Sequence, residues 1–255
     1  MSRISQAFEG KKAFIAFLTG GDPDIETSEK LIRTIAEEGA DIIEIGIPFS
    51  DPLAEGPVIE DADERALASG CTVDLLFEMV GRLREDIDIP LLFMTYYNPV
   101  FKYGAAKFAK NCAICGIDGL IVPDLPFEES AELLLPLHEN GLELVSMITP
   151  TSGERAVRIA KEAEGFIYCV SSLGVTGVRA NLSDEIGGVI EQVKTVTDVP
   201  CAIGFGISTP EQAAKMAAIS DGIIIGSAIV RIVAEHGRGS VEPVREYVRA
   251  IRQGV

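Results

Sequence analysis

Residues 40–69 read ADIIEIGIPFSDPLAEGPVIEDADERALAS, and this stretch decides the fold. Its apolar run, Ile42-Ile43-Glu44-Ile45-Gly46, is short and rich in β-branched residues, as expected of a parallel strand covered on both faces. A loop holding Pro48, Pro52 and Pro57 follows, and from Pro57 to Ser69 the apolar residues recur at helical spacing. Strand, loop and helix form one unit.

The same unit recurs in both directions. Short apolar runs at 13–18 (AFIAFL), 91–94 (LLFM), 119–122 (GLIV), 143–148 (ELVSMI), 166–170 (FIYCV), 201–204 (CAIG) and 222–226 (GIIIG) join 42–46 as strands. Helical spacing runs over 27–38, 57–69, 103–114, 129–139, 153–163, 184–196, 210–217 and 241–252. A further helical segment at 72–84 lengthens the second unit. Glu26-Thr27-Ser28, Ser183-Asp184-Glu185 and Thr209-Pro210-Glu211 read as helix starts.

Eight strand–helix units close into a barrel or lie in a doubly wound open sheet. Their number and even spread favour the barrel, and no G-x-G-x-x-G follows the first strand to support a dinucleotide fold. No Pro-, Gly- or Ser-rich linker divides the chain. The expected class is therefore α/β, with residues 1–255 forming a single-domain (β/α)8 TIM barrel. Ile4 and Phe8 stand one helical turn apart, so an extra N-terminal helix is expected to cover one barrel end.

Hydrophobic residues make up 47% and charged residues 24%, enough apolar material for a large core and too much for disorder. With 39 acids against 22 bases the net charge is −17, which argues against nucleic acid or an anionic membrane as partner. No apolar run approaches the ~20 residues that cross a bilayer. The opening MSRISQAFEGKK lacks a signal-peptide core, so the five cysteines are expected to be reduced thiols in a cytoplasmic protein. Cys112 and Cys115 have C-x-x-C spacing, but no second pair or nearby His completes a site. They read as one helix face, and no metal is expected.

Barrel chemistry sits at C-terminal strand ends and in the loops beyond them. Alternation sets Glu44 opposite Ile43 and Ile45, on the interior face, where desolvation makes a carboxyl a capable general acid and base. In the following loop Asp51 and Glu55 can swing toward Glu44, or can serve as turn and helix-start acids. Gly174-Val175-Thr176-Gly177, Gly204-Phe205-Gly206 and Gly226-Ser227 follow strands six, seven and eight, where backbone N–H groups and a helix end can hold phosphate without lysine or arginine. Tyr168 reads as core or site wall, Asp124 as turn acid or substrate contact, and Phe17 as core. His138 and His236 fall away from the expected site face.

EIGIPFSDPLAEGP at 44–57 closely resembles the signature of tryptophan synthase alpha subunits. FLTGGDP at 17–23, VPDLPFEES at 122–130, GVTG at 174–177, GFGIS at 204–208 and GSAIV at 226–230 match in the same order across the chain. The resemblance implies a lyase of tryptophan biosynthesis that cleaves indole-3-glycerol phosphate to indole and glyceraldehyde 3-phosphate by a reverse aldol reaction. Glu44 takes the position of the family's principal acid–base glutamate. A second carboxylate, usually aspartate, stabilises charge at the ring nitrogen, and Glu55 stands in its position with one extra methylene.

The resemblance further places Phe17, Asp124, Tyr168 and Thr176 around the substrate and Gly177, Gly206, Gly226 and Ser227 around its phosphate. It implies a beta-subunit partner in an alpha2beta2 complex, with pyridoxal phosphate in that partner and no cofactor in this chain. Another phosphate-binding barrel enzyme shares the glycine turns without needing Glu44 and its loop, and a purely regulatory subunit would never release indole alone.

Overall fold

The computed structural model describes residues 2–53, 55–170, 182–204 and 206–255, with no account of side chains over 182–185. Among them are nine strand segments: β1 (Ala13–Thr19), β2 (Ile42–Gly46), β3 (Leu91–Met94), β4 (Gly119–Ile121), β5 (Glu143–Leu144), β6 (Ser146–Ile148), β7 (Ile167–Val170), β8 (Cys201–Gly204) and β9 (Gly222–Ile225). All pair in parallel in one sheet, in the order 5-4-3-2-1-9-8-7-6. Only Val145 separates β5 from β6, and its N–H donates to the Leu120 carbonyl at 2.9 Å. The two ends of the sheet are therefore halves of one barrel strand. Eight strand positions close the ring, as the eight apolar runs anticipate.

Alternation along each strand sorts its side chains. Phe14, Ala16 and Leu18 of β1 pack outward with the surrounding helices, whereas Ala13 and Ile15 join Ile42, Leu92, Ile121, Phe166 and Ile224 inside the barrel. Every residue of β1 and β2 is buried, because helices cover one face and the barrel interior the other.

The expected N-terminal helix is present as α1 (Arg3–Gln6). Ile4 is fully buried in the interior cluster, and the rings of Phe8 and Phe166 lie 5.7 Å apart, so this segment plugs the N-terminal end. The plug needs space. A β-carbon on Gly165, at φ +59°, would stand 2.9 Å from Ile4.

Between β1 and β2 runs α2 (Ile25–Glu37), which starts earlier than expected. Asp24 caps it by accepting from the Thr27 N–H at 2.8 Å, and Thr27 and Ser28 are buried in its first turns. Ser28 turns inward instead, accepting from Gly21 N–H and donating to the Asp22 carbonyl. The second unit carries α3 (Pro57–Ala68) and α4 (Val73–Leu83), as the two helical segments predict.

The expected helix at 103–114 is α6 (Ala105–Cys115), and a further helix not expected from spacing, α5 (Tyr97–Tyr103), precedes it, the two parted where Gly104 takes φ +89°. Cys112 and Cys115 are both buried on α6. Then come α7 (Ala131–Glu139), α8 (Glu154–Glu162), α9 (Leu182–Lys194), α10 (Pro210–Ile219), α11 (Ser227–His236) and α12 (Val241–Arg252). Thr209 caps α10 in a reciprocal pair with Gln212, as expected. The spacing analysis missed α11, whose first residues continue the apolar run of β9 almost without a break. Helix α12 packs on α2, where Arg249 grips Glu38 through two bonds of 2.8 and 2.9 Å, and closes the helical ring.

Candidate active site

The C-terminal strand ends converge on a cavity of about 860 Å³, lined at the barrel mouth by Leu53, Glu55, Met94, Tyr96, Val122, Tyr168 and Val170. It continues past β6 to Leu134, His138 and Ile159. β6 pairs with β7, and among the described residues its own register does not extend to β4. His138 sits on this outer side, paired with Glu164 at 2.7 Å.

Strand β2 carries Glu44 inward, with Ile43 and Ile45 outward in the helix-facing core, as alternation requires. Glu44 is fully buried, and neither carboxyl oxygen has a hydrogen-bond partner among the described residues. Burial alone pushes its pKa up to about 8, so near neutrality it holds a proton. Its charge would be felt by the buried Tyr168 hydroxyl, which is itself pushed upward by desolvation and then by Glu44.

Phe17 and Tyr168 each depend on a glycine. The Phe17 ring is buried with Ala62 and Val230, and a β-carbon on Gly46 would lie 2.8 Å from it. Tyr168 crosses Gly204, where a β-carbon would lie 2.5 Å from the hydroxyl. Composition places Phe17 in the core and family resemblance places it at the site. It packs in the cluster above β1, against α3 and α11, as a buried residue.

In the loop after β2, Ser50 donates to Asp51 at 2.6 Å on the surface. Glu55 turns inward. One of its oxygens is buried without a partner among the described residues, and its carboxyl bonds Asp63. Desolvation and the neighbouring Asp63 both raise Glu55, and desolvation is also the largest influence raising Asp63. Sequence reasoning missed Asp63. Its signal was present, since Asp63 lies one turn from Ile59 and Ala66 on the buried face of α3.

Asp124 accepts from the Tyr97 N–H at 2.8 Å, tying the β4 loop to the start of α5, while its neighbours Val122, Pro123 and Leu125 line the cavity. Gly226 is the N-cap of α11 and Ser227 its first residue. No side chain caps this end, and its first turn carries no acid. Gly206 is exposed at φ +74° on the loop after β8. Thr176 and Gly177 lie outside the described residues. Among the described residues no cluster of three His, Cys, Asp or Glu is arranged to hold a metal ion, and no helix is long and apolar enough to cross a membrane.

A (β/α)8 barrel that buries a glutamic acid among its inward residues and opens a cavity at its C-terminal strand ends has the architecture of a barrel enzyme. The tryptophan synthase alpha chain family model matches residues 4–253. The tryptophan synthase alpha chain of Lacticaseibacillus casei is 46% identical over 255 residues, covering 100% of this chain and 96% of that one. The crystal structure of tryptophan synthase subunit alpha from Legionella pneumophila superposes with TM-score 0.90 at 35% identity, covering 100% of this chain and 98% of that chain. A chain of the Pyrococcus furiosus tryptophan synthase complex superposes with TM-score 0.87 at 31% identity, covering 95% and 99%. The chain belongs to the tryptophan synthase alpha chain family, carbon–carbon lyases of tryptophan biosynthesis. Its reaction is cleavage of indole-3-glycerol phosphate to indole and glyceraldehyde 3-phosphate.

Proposed function

We propose that Glu44 is the acid–base group of this cleavage and Glu55 the carboxyl that answers charge on the ring nitrogen. The observation that carries the reading is a fully buried Glu44 with both oxygens unpartnered among the described residues, at the strand ends of the barrel. A neutral carboxylic acid there gives its proton to the ring carbon that bears the glycerol chain. The ring nitrogen becomes positive, and Glu55 offers it an oxygen. Glu44, now a carboxylate, takes the proton of the adjacent glycerol hydroxyl. The carbon–carbon electrons return to the ring, indole and the aldehyde separate, and Glu44 is protonated again. Proton transfer by a positioned side chain contributes about 10²–10⁴-fold.

The phosphate rests on the uncapped start of α11, with Gly226 and Ser227, and on Gly206, where backbone N–H groups and the helix dipole hold an anion in an otherwise acidic protein. By resemblance, Gly177 completes this phosphate site and Thr176 contacts the substrate. Phe17 and Tyr168 enclose the ring, and Asp124 holds the β4 loop at the cavity edge. The partner is a beta subunit, in keeping with the Pyrococcus furiosus complex that a similar chain joins. Pyridoxal phosphate belongs to that partner in an alpha2beta2 assembly. This chain serves in the cytoplasm as one barrel domain without its own cofactor.

The deciding experiment is indole release from indole-3-glycerol phosphate by wild type and Glu44→Gln, with and without a beta subunit. Turnover falls by about 10²–10⁴-fold in the variant while binding of a phosphate analogue persists. A wild type that releases no indole under either condition, or a fully active variant, overturns the assignment.

A further inference from the structure

Asp63 stands behind Glu55 in a place where a carboxylate is expensive. It is 4% exposed on the inner face of α3, and its Oδ2 accepts from the Phe49 N–H at 3.4 Å. The charged and titratable groups around it are Glu55 from the β2 loop, Asp22 from the β1 loop and Cys71 beyond its own helix; Glu60 bears on Glu55, and the Thr19 hydroxyl also faces Asp63. The nearby cation, Arg65, is committed to Asp22 through bonds of 2.9 and 2.8 Å. Two buried carboxyls in contact without a cation cannot both ionise, so they hold one proton between them.

We infer that Asp63 is a positioning residue of the lyase site, which works by sharing a single proton with Glu55. The inference rests on the reading of Glu55 as the second carboxyl of the reaction. Burial and mutual repulsion, which raise both groups, agree with it. The extra methylene of Glu55 has a purpose in this pair: its carboxyl meets Asp63, its Oε2 is buried without a partner among the described residues, and the residue still lines the cavity. Before the reaction Glu55 carries the proton and donates it in a hydrogen bond to the Asp63 carboxylate. As the ring nitrogen becomes positive, the proton crosses to Asp63 and Glu55 becomes the carboxylate that faces the charge. When the carbon–carbon bond has broken and the ring is neutral, the proton returns. The pair keeps one negative charge throughout, and no proton enters or leaves.

The test is a pH profile of kcat and KM for indole release by the full chain with its beta subunit. The variants are Asp63→Asn, Glu55→Asp, Glu55→Gln and the Asp63→Asn/Glu55→Gln double variant. The amide introduced by Asp63→Asn donates to Glu55 and favours its ionised form, so the pH limb belonging to the pair moves down by about one unit or more. At neutral pH, kcat falls about tenfold or more while KM stays within about twofold. Glu55→Asp withdraws the arm without touching α3 and moves the limb the same way. In the double variant the two losses fail to add, because either single change already breaks the pair. Wild-type profiles in both Asp63→Asn and Glu55→Asp, beside an inactive Glu55→Gln, sink the proton-sharing pair and leave Glu55 in its role. A fully active Glu55→Gln removes the Glu55 reading itself, and the pair with it.

Discussion

Phe17 lies across Gly226 so closely that a β-carbon added to the glycine would stand 2.9 Å from the phenylalanine ring and 3.2 Å from the phenylalanine β-carbon. The Phe17 ring and the uncapped end of α11 are thus one packed unit, since Gly226 is also the N-cap of that helix. Gly226→Ala must push the ring or the helix end away. Overpacking of this kind costs about 1–3 kcal/mol. We expect a lower denaturation midpoint together with a KM for indole-3-glycerol phosphate raised about tenfold or more. Unchanged KM with lowered stability would detach the helix end from phosphate binding.

Glu44 makes stability depend on pH in the direction opposite to a paired carboxylate. Below its ordinary value of 4.5 it is protonated whether the chain is folded or not. From there up to about 8 the folded chain keeps a proton that the unfolded chain has released. Its contribution is therefore present at low pH and lost as pH rises through the folded value, at up to about 1.4 kcal/mol per pH unit. Glu44→Gln removes this slope, so the variant gains on the wild type between about pH 5 and about pH 8 in urea melts. Parallel pH dependences for the two proteins would show that Glu44 is not held neutral by burial.

Arg65 grips Asp22, which is 2% exposed, in a two-pronged pair. Arg65→Leu strands that carboxylate beside Asp63 and destabilises the fold by about 3 kcal/mol in denaturant titrations. Arg65→Leu/Asp22→Leu removes both partners and recovers most of the loss. Equal losses for the single and double variants would mean that packing, and not the stranded charge, sets the cost.

Ile4 fills the closed end of the barrel and touches Gly119 and Gly165. Ile4→Ala leaves a cavity and lowers stability by about 2–5 kcal/mol. The active end lies at the opposite strand termini, so kcat at a temperature well below melting should remain near wild type. A collapse of kcat with intact stability would tie the plug to catalysis.

Much of this was written in the linear chain. Strands buried on both faces and helices buried on one face produce periodicities that survive in the residue order, so the eight strand positions and the inward face of Glu44 could be read directly. The motifs at strand ends pointed to Glu55, Tyr168, Gly206 and Gly226, because a barrel builds its site from corresponding places in successive units. The sequence was poorer wherever one local signal ran into another. The start of α11 continues the apolar run of β9, and Asp24 caps a helix whose first turn also holds Thr27 and Ser28.

Encounters between residues far apart in sequence come from the folded chain alone. Asp63 reads locally as one acid among several on a helix, and becomes a partner of Glu55 only when α3 lays its inner face against the loop after β2. Asp124 reads as a turn acid or a substrate contact, and only the folded chain brings it to the Tyr97 N–H. Phe17 is buried because β1, Gly46 and Gly226 meet around its ring. Periodicity records which face of an element leaves water. Which charges meet there, and whether a proton must be shared between them, depends on distances across the fold that residue order does not encode.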